Sequence, residues 1–183
     1  MLFAGDKMNP KNIDIYKKKI IPLYDYIVGS NTKQWSLWPN NIAFEIKSQI
    51  SSLLDDTERL ILFYSQSNRW TLFSTDGIIW RDSSSVLSLQ NWQIADAGII
   101  AFDNYQSSKS HTYIHVIDID KKIYHVPMEP GQSCGSACQL LHRLSVFFPH
   151  DMVNLNECRA LLQEYVAEEK KRWVENWCSC PKD

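Results

Sequence analysis

The spacing of apolar residues changes twice along this chain of 183 residues. Ile42, Ala43, Ile46, Ile50, Leu53 and Leu54 keep a 3.6-residue period and predict a helix, capped by Asn40 or Asn41 and ended by Asp55-Asp56-Thr57-Glu58. Ahead of it, Asn12 caps a predicted helix from Ile13 to Ile20. Pro22 fits the first turn of another that runs to Val28, and Gly29 supplies its left-handed stop. The stretch Ser30–Asn40 carries Trp35, Leu37 and Trp38 and reads as an apolar loop held against the protein.

From Leu60 the period shortens. Leu60–Ser65 is a nearly continuous apolar run, as expected of a strand buried on both faces. Trp70–Thr75 and Ile78–Trp80 flank Asp76-Gly77, a dipeptide suited to the type I′ turn because both central residues there need φ > 0. Val86–Ile94, which includes Trp92, predicts one strand or two short ones, and Gly98–Asp103 another. After the polar loop Asn104–Ser110, His111–Ile117 and Ile123–Val126 form a hairpin in which His115 and His125 face each other if three residues make the turn. Short strands joined by local turns, with no helix between them, predict an antiparallel meander.

Beyond Met128 the helical period returns. Ala137, Leu140, Leu141, Leu144 and Phe148 lie on one stripe of a helix that Ser133 caps and Pro149 stops. Asn154-Leu-Asn-Glu157 then looks like a capping box. The helix that follows carries Leu155, Cys158, Leu161, Leu162, Tyr165 and Val166 on one side, and the stripe continues past a run of charge to Trp173 and Trp177. The chain thus divides into an N-terminal helical segment (1–57), a β domain with its closing helix (58–148) and a C-terminal helical extension (149–183).

Composition excludes some functions. A net charge of −2 leaves no electrostatic footprint for nucleic acid, and Lys17-Lys18-Lys19 reads as a solvated helix face. Seven Trp, eight Tyr and seven Phe argue against disorder. No window approaches the roughly 18 apolar residues that span a bilayer, so no membrane insertion is expected. The start Met1-Leu-Phe-Ala-Gly-Asp-Lys has no basic region followed by an apolar core, which makes a cytoplasmic protein the expectation. Cys134, Cys138, Cys158, Cys178 and Cys180 are an odd number gathered in the last third, and read as reduced thiols.

Three motifs carry candidate chemistry. Gly131-Gln-Ser133-Cys-Gly135 matches the nucleophile elbow G-x-S-x-G between a strand and a helix. However, the strand before it belongs to a hairpin, His142 and His150 lie too near to serve as its base in the usual order, and no glycine-rich oxyanion loop precedes it. Cys134 and Cys138 stand one helical turn apart without a matching second pair, and His115 with His125 lacks a third ligand. No catalytic residue, metal or cofactor is therefore expected.

The segment Glu58-Arg-Leu-Ile-Leu-Phe-Tyr-Ser, followed by Trp70-Thr-Leu-Phe-Ser-Thr-Asp-Gly-Ile-Ile, resembles the opening of bacterial pleckstrin-homology-like domains. His125-Val-Pro-Met-Glu-Pro-Gly, leading into a helix, is similar to uncharacterised bacterial proteins of this kind. The resemblance spans residues 40–148 approximately. It implies an α+β fold with a bent antiparallel sheet or barrel of about seven strands, N-terminal helices and C-terminal capping helices. It also implies binding rather than catalysis, and some related small bacterial proteins look like immunity partners of secreted toxins. The expected function is a non-enzymatic protein-binding module, most concretely an immunity protein (an antitoxin) that occludes a toxin's site. The alternative is a lipid- or peptide-binding adaptor, and a serine hydrolase using Ser133 comes a distant third. The loops Ser65–Arg69, Asp82–Ser85 and Asn104–Ser110 offer only Arg69 and Lys109 as cations, which favours a protein partner over a phosphoinositide. Trp173, Trp177, Trp35 and Trp38 are the candidate contact residues, because Trp gives large rigid contact area at low entropic cost.

Overall fold

The computed structural model describes residues 35–37, 44–52, 62–66, 69–74, 77–83, 85–100, 113–128, 132–147 and 152–178. The helices expected at 13–20 and 22–28, Trp38 and the loop 104–110 lie outside the described residues.

Strands β1 (Trp35–Leu37), β2 (Leu62–Gln66), β3 (Arg69–Phe73), β4 (Gly77–Asp82) and β5 (Ser85–Gln90) form one antiparallel sheet in chain order. Strands β6 (Ile94–Gly98), β7 (Tyr113–Asp118) and β8 (Ile123–Pro127) form a second. The helices are α1 (Phe44–Ser51), α2 (Gln132–Phe147) and α3 (Met152–Cys178). The protein is α+β. Among the described residues its eight strands lie in two sheets of five and three, not in a closed barrel of about seven.

The inner faces of both sheets share one core. Phe73, Ile78, Trp80 and Leu89 from the first meet Ile94, Ile114, Val116 and Val126 from the second, and α2 closes the cluster with Cys134, Ala137, Leu140 and Leu141. Fully burying each large apolar side chain contributes about 1.5–3 kcal/mol. Trp80 meets the Tyr124 ring edge to face at 5.6 Å, and the Thr71 hydroxyl donates to the Pro127 carbonyl at 2.6 Å, a polar link between the sheets. The outer face of the second sheet is also covered. Ala95 and Ile117 pack there against Leu155, Cys158 and Leu162 of α3.

Several boundaries differ from expectation, each for a local reason. Trp35–Leu37 is a strand rather than a loop, paired with Leu62–Tyr64. The Ser74 N–H donates to the Gly77 carbonyl at 2.8 Å, and Gly77 is the first residue of β4 rather than a central turn residue; positions 75 and 76 lie outside the described residues. Gly77 instead serves close approach. A Cβ there would meet the Leu89 carbonyl oxygen, with Gln90 Cα at 2.8 Å. A 3-10 turn at Asn91–Gln93 interrupts the run 86–94, held by the Gln90 N–H donating to the Gln93 side chain at 2.9 Å. The next strand then runs over Ile94–Gly98, where Gly98–Asp103 was expected. Helix α2 begins at Gln132, which puts Ser133 inside its first turn rather than at the cap. Likewise α3 begins at Met152, so Asn154 does not cap it. The Asn154 amide donates to the Ile119 carbonyl of the β7–β8 turn at 2.9 Å.

Candidate functional site

Of the four candidate contact tryptophans, Trp35 lies in β1 and Trp38 outside the described residues. Trp173 is half-buried on α3, and Trp177 lies four residues further along the same helix. The side chains of Trp35 and Trp177 are outside the description. A different aromatic stands at the surface. Trp92, expected in a strand, sits in the 3-10 turn with 47 % of its surface exposed, its indole N–H donating to Gln90 Oε1. Val86 and Leu87 just before it are 36 % and 41 % exposed. They lie on β5, one of the two end strands of its sheet among the described residues. The sequence signal was faint: Asn91 and the two glutamines around Trp92 break the strand pattern.

A second cluster joins β7, β8 and α3. The β7–β8 turn has three residues, with Asp118 N–H donating to the Lys122 carbonyl and Lys121 at φ 66. The Asp118 carboxylate accepts the N–H groups of Asp120 and Lys122, which pins that turn. This register sets His115 opposite His125, as the three-residue turn requires, with ring centroids 5.0 Å apart. Tyr165 of α3 closes over both. Its hydroxyl lies 2.9 Å from His125 Nε2, and its ring centroid is 5.5 Å from that of His115. Burial, helped by Glu169, raises the Tyr165 pKa, so the phenol stays protonated at neutral pH. Tyr113 adds a further edge contact to His125, and the Arg69 guanidinium lies 4.3 Å above the Tyr113 ring while paired with Asp82 at 3.2 Å.

No family model, no curated protein and no solved structure matches this chain.

The third cluster is a polar joint. Asp96 follows an irregularity in the β6–β7 register and is 8 % exposed. Its Oδ1 lies 2.6 Å from His142 Nδ1 on α2 and accepts the Ala97 N–H, and Arg159 Nε of α3 stands 3.5 Å from Oδ2. One carboxylate thus fastens both helices to β6. Next to it, the Cys138 thiol donates to the Ala97 carbonyl at 3.3 Å. Burial pushes the Cys134 and Cys138 pKa values up to about 12, with Cys138 a lesser cause for Cys134 and Asp96 for Cys138. Such thiols are neutral and poorly nucleophilic. The strand before Ser133, β8, pairs antiparallel with β7, unlike the parallel strand that leads into a hydrolase elbow. Among the described residues no three His, Cys, Asp or Glu side chains converge as metal ligands, and no helix is long and apolar enough to cross a membrane.

Proposed function

We propose that this protein is a non-enzymatic protein-binding module with a pleckstrin-homology-like arrangement of sheets. Its most concrete role is that of an immunity protein that neutralises a cognate toxin by covering its site. The observation that carries the reading is the exposure of Val86 and Leu87 on β5, a terminal strand of the larger sheet among the described residues, and of Trp92 in the 3-10 turn that follows it. Successive strand residues face opposite sides, so Val86 and Leu87 offer apolar surface on both faces of β5, and Trp is, with Tyr and Arg, enriched among the residues that dominate binding energy. Trp173 and Trp177 are proposed as a second contact element at the far end of α3, and Trp35 and Trp38 as further candidates of the same kind.

The test is co-expression with the C-terminal domain of a secreted protein encoded beside this chain. An immunity protein restores growth, and the Leu87→Ala/Trp92→Ala variant loses that protection while melting normally. Growth arrest unrelieved by the intact protein would sink the reading. Full protection by the variant would move the contact to another surface.

A further inference from the structure

We propose that His115 and His125 form a two-imidazole binding site for a divalent transition-metal ion of the zinc or copper class, open to solvent at His125 and completed by water. This inference is independent of the protein-binding role.

The geometry comes first. Two imidazoles bound through nitrogen to one tetrahedral zinc, at about 2.0–2.1 Å each, hold their ring centroids roughly 5 Å apart. His115 and His125 stand at 5.0 Å, with their ring planes at 83° to each other. They are a directly opposed pair in an antiparallel ladder, on a hairpin whose three-residue turn is fixed by Asp118. The backbone spacing is therefore built before a metal arrives, so little ordering entropy opposes capture.

The surroundings divide the work between the two rings. His115 is buried and cannot move far, whereas His125 is exposed and can turn its ring toward an ion. Its Nε2 contacts the Tyr165 hydroxyl, so binding through that nitrogen exchanges one phenol contact for a metal bond. Imidazole is a borderline ligand suited to zinc, copper and nickel rather than to calcium or magnesium. Arg69, stacked on the Tyr113 ring that contacts His125, is paired with Asp82, which limits its repulsion of an incoming dication. On the helix side, Glu169 and Arg172 both act on Tyr165 and offset each other in charge. Only two protein ligands are present among the described residues, so the site should be weaker than a structural zinc site and exchange its ion readily.

The experiment uses the full chain, without a histidine tag and stripped by chelator, titrated calorimetrically with zinc chloride. Cobalt chloride serves as the spectroscopic probe. The expected result is one equivalent bound with micromolar affinity and a raised melting temperature, with a cobalt spectrum that lacks thiolate charge transfer. In His125→Phe and His125→Gln, both at an exposed position, affinity should fall by more than the roughly 10–100-fold that an outer-shell change costs. The Cys178→Ser/Cys180→Ser variant should bind as before. No saturable binding, binding undiminished in both His125 variants, a thiolate band with cobalt, or loss of binding in the cysteine variant would each overturn the proposal.

Discussion

His142 Nδ1 lies 2.6 Å from Asp96 Oδ1, and through that contact a half-exposed imidazole on one helix shares its carboxylate with Arg159 on the next. The load falls on the aspartate, which is the buried member. Asp96→Ala removes the acceptor of the Ala97 N–H, the partner of His142 and the countercharge of Arg159, and should cost about 1–3 kcal/mol of stability. His142→Ala should cost less, because solvent can replace the exposed ring. Urea unfolding of both variants decides it: equal losses would place the load on the imidazole instead.

Two glycines should respond to alanine with opposite signs. At Gly77 the added methyl would strike the β5 backbone at Leu89 and Gln90. Gly77→Ala should therefore destabilise at the upper end of the roughly 1–3 kcal/mol typical of overpacking. Gly135 lies within α2 with nothing inside 4 Å of its would-be Cβ, so Gly135→Ala should gain up to about 1 kcal/mol from helix propensity. Thermal melting of the two variants side by side checks both.

The buried thiols set an alkaline limit. Cys134 and Cys138 are raised from 9.0 to about 12, mainly by burial. A raised pKa means that the fold favours the neutral thiol. That contribution is complete below pH 9 and is lost as pH climbs toward 12. Tyr124, raised from 10.0 to about 12 by burial and its bond to Asp118, adds to the loss above pH 10. The urea midpoint should fall above pH 9, less steeply in Cys134→Ala. At pH 8 a disulfide reagent should modify Cys134 and Cys138 far more slowly in the folded than in the unfolded protein. Equal rates would contradict their burial.

For the distal end of α3, Trp173→Ala/Trp177→Ala should leave melting near normal and weaken partner binding by about 2 kcal/mol or more. Early unfolding with normal binding once folded would assign the pair to packing.

Ser133 is expected to be inert toward a fluorophosphonate probe. Labelling that disappears in Ser133→Ala would restore the hydrolase reading.

Strong periodicity was legible in the sequence, and so were the elements it marks. The α2 stripe Ala137, Leu140, Leu141 is buried as its spacing requires, and the His115–His125 pairing follows from counting across the turn. What escaped were positions where one side chain serves a distant neighbour. Asn154 has the sequence context of a cap, but it bonds a carbonyl some 35 residues earlier. Gly77 has the context of a turn glycine, yet it is required by a third strand that local sequence cannot place. Trp92 looks like a strand residue on composition, and only the 3-10 turn at Asn91–Gln93 turns it outward. The Asp96 joint gathers residues from three elements far apart in the chain, so no local motif could announce it.

Helix α3 is the last of the described elements to be synthesised, yet it forms one wall of the three-stranded sheet. While a ribosome is still reading beyond β8, the hairpin can pair and receive α2, but Ala95 and Ile117 remain wet on the other side. At about 5–20 residues per second, that interval lasts on the order of seconds. Throughout it, the nascent chain presents a flat apolar surface to chaperones and to other unfinished copies. A stop codon early in α3 would therefore release an aggregation-prone molecule, not simply a shorter one.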